Sequence, residues 1–444
     1  MCEGSILPKM LKFAIPLMLS SILQLMFNAA DVIVVGKFAG DNSLAAVGCT
    51  GSLINLLINL FVGLSVGTNV MAARHHGARQ KQELKATVHT SVTIAAYSGI
   101  VLTAVGVLFT KGILELMGTP EAVLPLAALY LRIYFAGMIP NMLYNFGSAV
   151  LRAVGDTRRP MYYLMSAGVI NVILNLIFVI VLKMDVAGVA LATIISQTIS
   201  AVLVIKCLIT TDSDIRLELR SLGIDGRELK NIIRIGLPAG LQGCIFSLSN
   251  VVIQSSINSF GEIVVSGSSA CSNLEGFVYV AMNAFHQAAL AFISQNMGAG
   301  KYSRVRRIMI CAIICVTVTG IVLGQLEIGF GRSLLGIYTD SPEVVEAGLA
   351  RMRIIDSTYF LCGLMDVMVG VLRGIGYSVM PMIVSLIGAC GTRLVWIATV
   401  FRIERFHKVE TVYVSYTISW FLTFAVHLLC FLAIRKKAVP KEDV

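Results

Sequence analysis

Charge is scarce in this chain. Of 444 residues, 14% are Asp, Glu, Lys or Arg, against about 25% in a soluble domain. Most apolar segments lack the polar face that a soluble helix needs. No segment alternates in the manner of a barrel strand. No HExxH and no phosphate-loop lysine motif occurs, which argues against an ATP-driven pump and leaves ion-gradient coupling. The ten cysteines make no CxxC and no paired loop spacing. Cys49, Cys244, Cys271, Cys390 and Cys430 lie in apolar runs and read as small packing residues. His89, His286 and His427 are isolated, without metal-ligand spacing, and read as satisfied buried histidines. The first apolar run has no A-x-A-like site and resembles the later ones, so no cleaved leader is expected.

What the chain does contain is apolar length. It is 57% hydrophobic with mean hydropathy +0.83. Twelve runs long enough to cross a bilayer as helices are expected near 12–36, 47–73, 87–109, 127–150, 160–182, 186–207, 234–257, 264–295, 308–330, 350–371, 380–401 and 411–434. With the N-terminus inside, the inner segments carry 24 Lys and Arg and the outer connections seven. The distribution predicts a multi-pass protein of the plasma (inner) membrane with both termini cytoplasmic. The net charge of +10 is then a property of the inner loops, not a sign of nucleic acid. Thr210 to Lys230 mixes both signs and reads as a solvated connector.

The first span holds one carboxylate, Asp31. Gln24, Asn28 and Asp31 share a helix face, with Ser20 and Ser21 a turn below. A charge at membrane depth costs several kcal/mol, so this face should meet protein or a wet cavity and Asp31 needs a partner, a proton or an ion. Pro16 removes one backbone hydrogen bond about four turns earlier and is a candidate hinge. Asn171 with Asn175, Asn55 with Asn59 and Asn141 with Asn145 each stand four apart on one helix face. The plainer reading of any such Asn is interhelical glue.

The chain repeats itself. Ala14-Ile15-Pro16 returns as Gly236-Leu237-Pro238, Asn28 as Asn250, Cys49 as Cys271, and Leu151-Arg152 with Pro160-Met161 as Leu372-Arg373 with Pro381-Met382, at offsets of 222 or 221. Two six-helix halves of parallel sense are therefore expected, related by a pseudo-two-fold axis along the membrane normal. The boundaries read as 1–207 for the first lobe, 208–230 for a cytoplasmic linker and 231–444 for the second lobe. A cleft between such halves can open alternately to either side, which is transporter architecture.

These residues resemble the multidrug and toxic compound extrusion (MATE) family. The carriers are Pro16 with NAADVIVVG, Ser43 to Val47, LRAVGDTRRPM (151–161), LRGIGYSVMPM (372–382), GLPAGLQ (236–242), GVALATIISQ (188–197) and SQNMGAGK (294–301). The resemblance spans nearly the whole chain. It implies an all-α membrane protein of twelve helices in two lobes. It implies a secondary antiporter, not an enzyme, that exports organic, cationic or amphipathic compounds in exchange for H⁺ or Na⁺ by alternating access. In the prokaryotic branch with an Asp in the first helix, the cation site maps onto Asp31, Asn171, Asn175 and Thr193. Asn175 stands where that pattern has an acid, which leaves one carboxylate with amide and hydroxyl oxygens, adequate for Na⁺ or for a proton. No other cofactor is implied. Small organic substrates and the bilayer are the expected partners, no nucleic acid is, and a monomer is expected.

Gln24, Asn28, Asn55, Asn145, Glu275, Asn283 and Asp366 are candidates to line the substrate cavity. Glu275 can lie near the outer interface, and Asp366 can pair with Arg393 inside the membrane. The alternatives are a flippase for a lipid-linked precursor, which needs a cationic cavity, and a channel or receptor.

Overall fold

In hydrocarbon every backbone donor and acceptor must be satisfied within its own segment, so apolar runs of this length become helices. The computed structural model describes residues 1–438, apart from the side chains of Asp41, Ser52 and residues 436–438. The tail beyond residue 438, part of the basic C-terminal segment, lies outside the described residues. Among the described residues no strand occurs. Fifteen helices follow in order: α1 (Ile6–Phe38), α2 (Asp41–Gly77), α3 (Lys81–Leu116), α4 (Leu124–Ala136), α5 (Met138–Ala153), α6 (Arg158–Asn175), α7 (Asp185–Thr210), α8 (Gly226–Asn258), α9 (Glu262–Gly298), α10 (Tyr302–Leu335), α11 (Pro342–Thr358), α12 (Phe360–Ile375), α13 (Val379–Ser385), α14 (Thr392–Ala398) and α15 (Val409–Ala438). Among the described residues ten helices are long and apolar enough to cross a membrane, and counting each of the bent pairs α4–α5 (48°) and α11–α12 (44°) as one span brings the number to twelve. All twelve expected spans are present.

The repeat extends to backbone detail. The two bends fall at Gly137 and Tyr359, 222 residues apart. Gly40 and Gly261 start α2 and α9 with φ near +90°, a conformation that only glycine adopts freely. Each bend has a local cause. At the first, Gly137 is followed by Pro140, which has no N–H to give. At the second, Ser357 and Thr358 hydroxyls donate to the Ile354 carbonyl at 3.1 Å, and Thr358 also to Ile355 at 3.2 Å. They compete with the helical ladder there.

The chain folds as two compact units, but not with the boundaries at 207 and 231. The first unit is Leu19–Gly240; the second joins Met1–Met18 to the chain from Leu241 onward. Two continuous helices, α1 and α8, therefore change unit midway. The crossings fall two residues after Pro16 and two after Pro238. Burial explains the division. Met10, Phe13, Ala14 and Leu17 are buried in the core of the second unit with Phe285, Phe292 and Ile293. The start of α8 packs on α2 inside the first unit through two GxxxG segments, Gly63–Gly67 and Gly236–Gly240. A Cβ on Gly63 would stand 2.2 Å from the Gly240 nitrogen, so the backbones touch.

The 208–230 segment is docked, not a free connector. Ile215 and Leu217 alternate inward and are buried beside Leu84, Val88 and Leu208. The Glu218 amide donates to His89 Nε2 at 3.1 Å, and Lys85 meets the Glu218 carboxylate at 2.7 Å. That lysine holds the exposed Glu218 carboxyl below the usual carboxylate range. Further on, Glu228 is buried against His75 (3.1 Å) and the Thr87 hydroxyl (2.7 Å). One 3₁₀ turn, Leu219–Ser221, lies within it.

Candidate functional site

The site is built on α1 and α6 within the first unit. Phe27 seats its ring against Gly168 of α6, where any side chain would collide with it. One turn further on, Asp31 accepts a hydrogen bond from the Asn175 amide nitrogen. Asn175 also donates to Asn171 Oδ1 at 3.3 Å, the contact that i, i+4 spacing permits. Asn171 and Asn175 are buried and Asp31 is half-buried. The Asn175 carbonyl oxygen is enclosed without a donor. Directly after Asn175 the helix widens into a π turn, Leu176–Val181, a distortion frequent at functional sites. Tyr130 and Tyr134 of α4, stacked 6.0 Å apart, lie within electrostatic reach of Asp31. Tyr134 is also hydrogen-bonded to Gln197 of α7.

Three of the four expected cation-site residues thus form one chain of contacts. Thr193 does not join it: its hydroxyl donates back to the Val189 carbonyl at 3.0 Å, one turn along its own helix. The tyrosines were not among the expected residues. The signal was there, because Tyr130 and Tyr134 are four apart in a span that otherwise carries one charged group, Arg132.

The expected cavity residues separate into groups. Gln24, Asn28 and Asn55 lie in the first unit and all three are exposed. Asn145 folds back on Asn141, donating to its carbonyl at 2.9 Å and its side-chain oxygen at 3.0 Å. In the second unit Asn283 and Asp366 both meet the Tyr279 hydroxyl. Glu275 is a correction. It is 5% exposed, deep in the second unit, and bound by Arg351 through two hydrogen bonds of 2.7 Å. Both of its carboxylate oxygens are taken by Arg351 rather than offered to a ligand. The Asp366–Arg393 pairing is a second correction. Arg393 donates to Ser419 at 2.8 Å and lies 4.2 Å over the Tyr416 ring. Asp366 faces Tyr279 and the charge of Arg373 instead.

Each of the three histidines has at least one hydrogen bond, but His427 Nδ1 is buried without a partner, so His427 is only half satisfied. Lys85 O and the Glu218 amide hold His89, Asp366 O holds His286 at 2.6 Å, and Pro381 O and Ser385 hold His427. All ten cysteines are free thiols.

Twelve apolar spans, a twofold repeat and a sheltered acid in the opening helix define a polytopic membrane transporter. The family model described as MatE matches the chain twice, over residues 16–177 and 238–398. The chain belongs to this family, the multidrug and toxic compound extrusion transporters, and so is not an enzyme. Bacterial relatives include the probable multidrug resistance protein YoeA of Bacillus subtilis, 29% identical over 96% of this chain and 93% of that protein. The FAD transporter of Shewanella oneidensis is 24% identical over 76% of this chain and 75% of its own. Among solved structures, a MOP superfamily transporter from Pyrococcus furiosus has the same fold, with a TM-score of 0.92 and 22% identity over 99% of this chain and 97% of that one.

Proposed function

We propose that the protein is a multidrug antiporter of the plasma membrane, with both termini cytoplasmic. It would export organic, cationic or amphipathic compounds by alternating access in exchange for H⁺ or Na⁺. The observation that carries this reading is the Asp31–Asn175–Asn171 contact chain on α1 and α6. A carboxylate beside an amide oxygen that lacks a donor is an oxygen-rich seat for one small cation. Neutralising Asp31 removes a charge whose burial is costly, so occupied and empty states favour different packing of α1. Pro16, two residues before α1 changes unit, is where that helix bends most easily. The names of relatives such as YoeA support the substrate class.

The test is ethidium efflux from proteoliposomes under imposed pH or Na⁺ gradients, one at a time. Wild-type protein should respond to one gradient, and Asp31→Asn should lose gradient-driven efflux by about tenfold or more, the loss expected when a coupling group cannot take up its ion. Undiminished driven efflux in that variant would remove Asp31 from the coupling step. A second reading, carriage of an anionic compound, draws on the relative named an FAD transporter. Efflux of flavin nucleotide with no efflux of ethidium would favour it.

A further inference from the structure

Three acids lie buried in the second unit: Glu275 on α9, Glu327 on α10 and Asp356 on α11. Glu275 is fully matched. Arg351 gives it two hydrogen bonds of 2.7 Å, and the Cys271 thiol points at it from 3.3 Å. The remaining side of the guanidinium donates to Ser268 at 2.8 Å. All three nitrogens of Arg351 are thereby engaged with Glu275 or Ser268, and its guanidinium carbon lies over the rings of Tyr413 (5.5 Å) and Tyr416 (6.0 Å) of α15.

Glu327 and Asp356 have no such cation. Asp356 is 1% exposed and Glu327 is 9% exposed. Their carboxyl groups lie against each other. No donor reaches either oxygen of Asp356 or Oε2 of Glu327. The helices cannot relieve this by drifting apart. Gly324, one turn before Glu327, brings the α10 backbone onto α11, where a Cβ would stand 2.4 Å from the Asp356 carbonyl oxygen.

Two carboxylates in contact away from water cannot both stay ionised, because mutual repulsion adds to the lost hydration of each. A single proton converts the acceptor–acceptor contact into a hydrogen bond and leaves one charge to be borne. The other titratable or charged groups around the pair are Glu275, Arg351 and Cys271, with Tyr359 just beyond the bend and Tyr413 and Tyr416 on α15. None of them supplies a hydrogen bond to Asp356.

We propose that Glu327 and Asp356 form a shared-proton carboxyl pair, a second proton-binding site in the half of the chain that lacks Asp31. The pair is not a repeat copy of the first site. At an offset of 222, Glu327 corresponds to Val105, Asp356 to Tyr134, and Asp31 to Ile253. Its place gives the proton mechanical leverage. Asp356 is three residues before Tyr359, where span ten bends by 44°, and the Tyr359 amide reaches the Asp356 carbonyl at 3.5 Å. Loss of the proton restores repulsion at the α10–α11 contact, next to that bend.

Infrared difference spectra of the full-length protein in lipid, acid minus alkaline, in Na⁺-free buffer, test this site. A protonated-carboxyl band should vanish on alkalinisation. It should be absent from both Glu327→Gln and Asp356→Asn, and should survive in the Asp31→Asn/Asp366→Asn double variant. That double variant keeps the test alive if the pair's own variants fail to fold. A band unchanged in Glu327→Gln and Asp356→Asn, or lost from the double variant, overturns the proposal. Loss of the band on adding Na⁺ at constant pH also overturns it, since the pair then takes a metal ion. Failure of Asp31 in the efflux assay leaves this site untouched, so the two readings fall separately.

Discussion

Arg351 shows what a buried charge demands at the residue scale. Its guanidinium meets Glu275 with two nitrogens and Ser268 with another, between two tyrosine faces. Breaking such a pair by removing one partner costs about 3–5 kcal/mol, because the other charge is stranded. Arg351→Met should therefore lower unfolding stability in mixed micelles by about that much. Adding Glu275→Gln should recover most of it, since the stranded charge is gone. A double variant no more stable than the single one would show that Arg351 acts through packing alone. The polar faces carrying Asp31 and the pair Asn171 and Asn175 were legible from helical spacing and the cost of charge, whereas their grouping was expected only from the family resemblance. The setting of Glu275 was not legible, because its partner lies 76 residues away and no local pattern announces it.

At the scale of elements, the contact between α2 and the start of α8 rests on four glycines. Gly63, Gly67, Gly236 and Gly240 let two backbones meet, and a methyl group on Gly63 or Gly240 would press on main-chain atoms that cannot turn aside. Gly240→Ala should cost about 1–3 kcal/mol, typical of overpacking. Gly112→Ala on α3, with nothing within 4 Å of its Cβ, should be neutral or slightly stabilising. Equal midpoints for the two variants in thermal unfolding would argue against backbone contact as the determinant. Both GxxxG segments are visible in the sequence, but which helix each meets is not. The bends are half legible. Gly137 and Pro140 mark the first, whereas the second depends on Ser357 and Thr358 turning their hydroxyls inward, a rotamer choice that tertiary packing decides.

At the scale of the molecule, the first eighteen residues belong to the unit formed mainly by the second half of the chain. Phe13 is 3% exposed and packs edge-on to Phe292 of α9 at 5.7 Å. Phe13→Ala should cost about 3–5 kcal/mol. Its effect in hydrogen exchange should appear in α9, far along the chain, and not in α2 or α3. Faster exchange confined to α1 and α2 would contradict the division. Composition and hydropathy alone determined that this is a helical membrane protein of twelve spans. The constant offset between its halves alone determined that it is built twice, because spacing, charge scarcity and repeats are properties of one dimension. Only the folded chain decided where the units part, that the 208–230 segment is docked, and that Glu327 and Asp356 are left facing each other. Those outcomes depend on which residues meet across long loops, and burial free energy selects such partners by shape in three dimensions rather than by order along the chain.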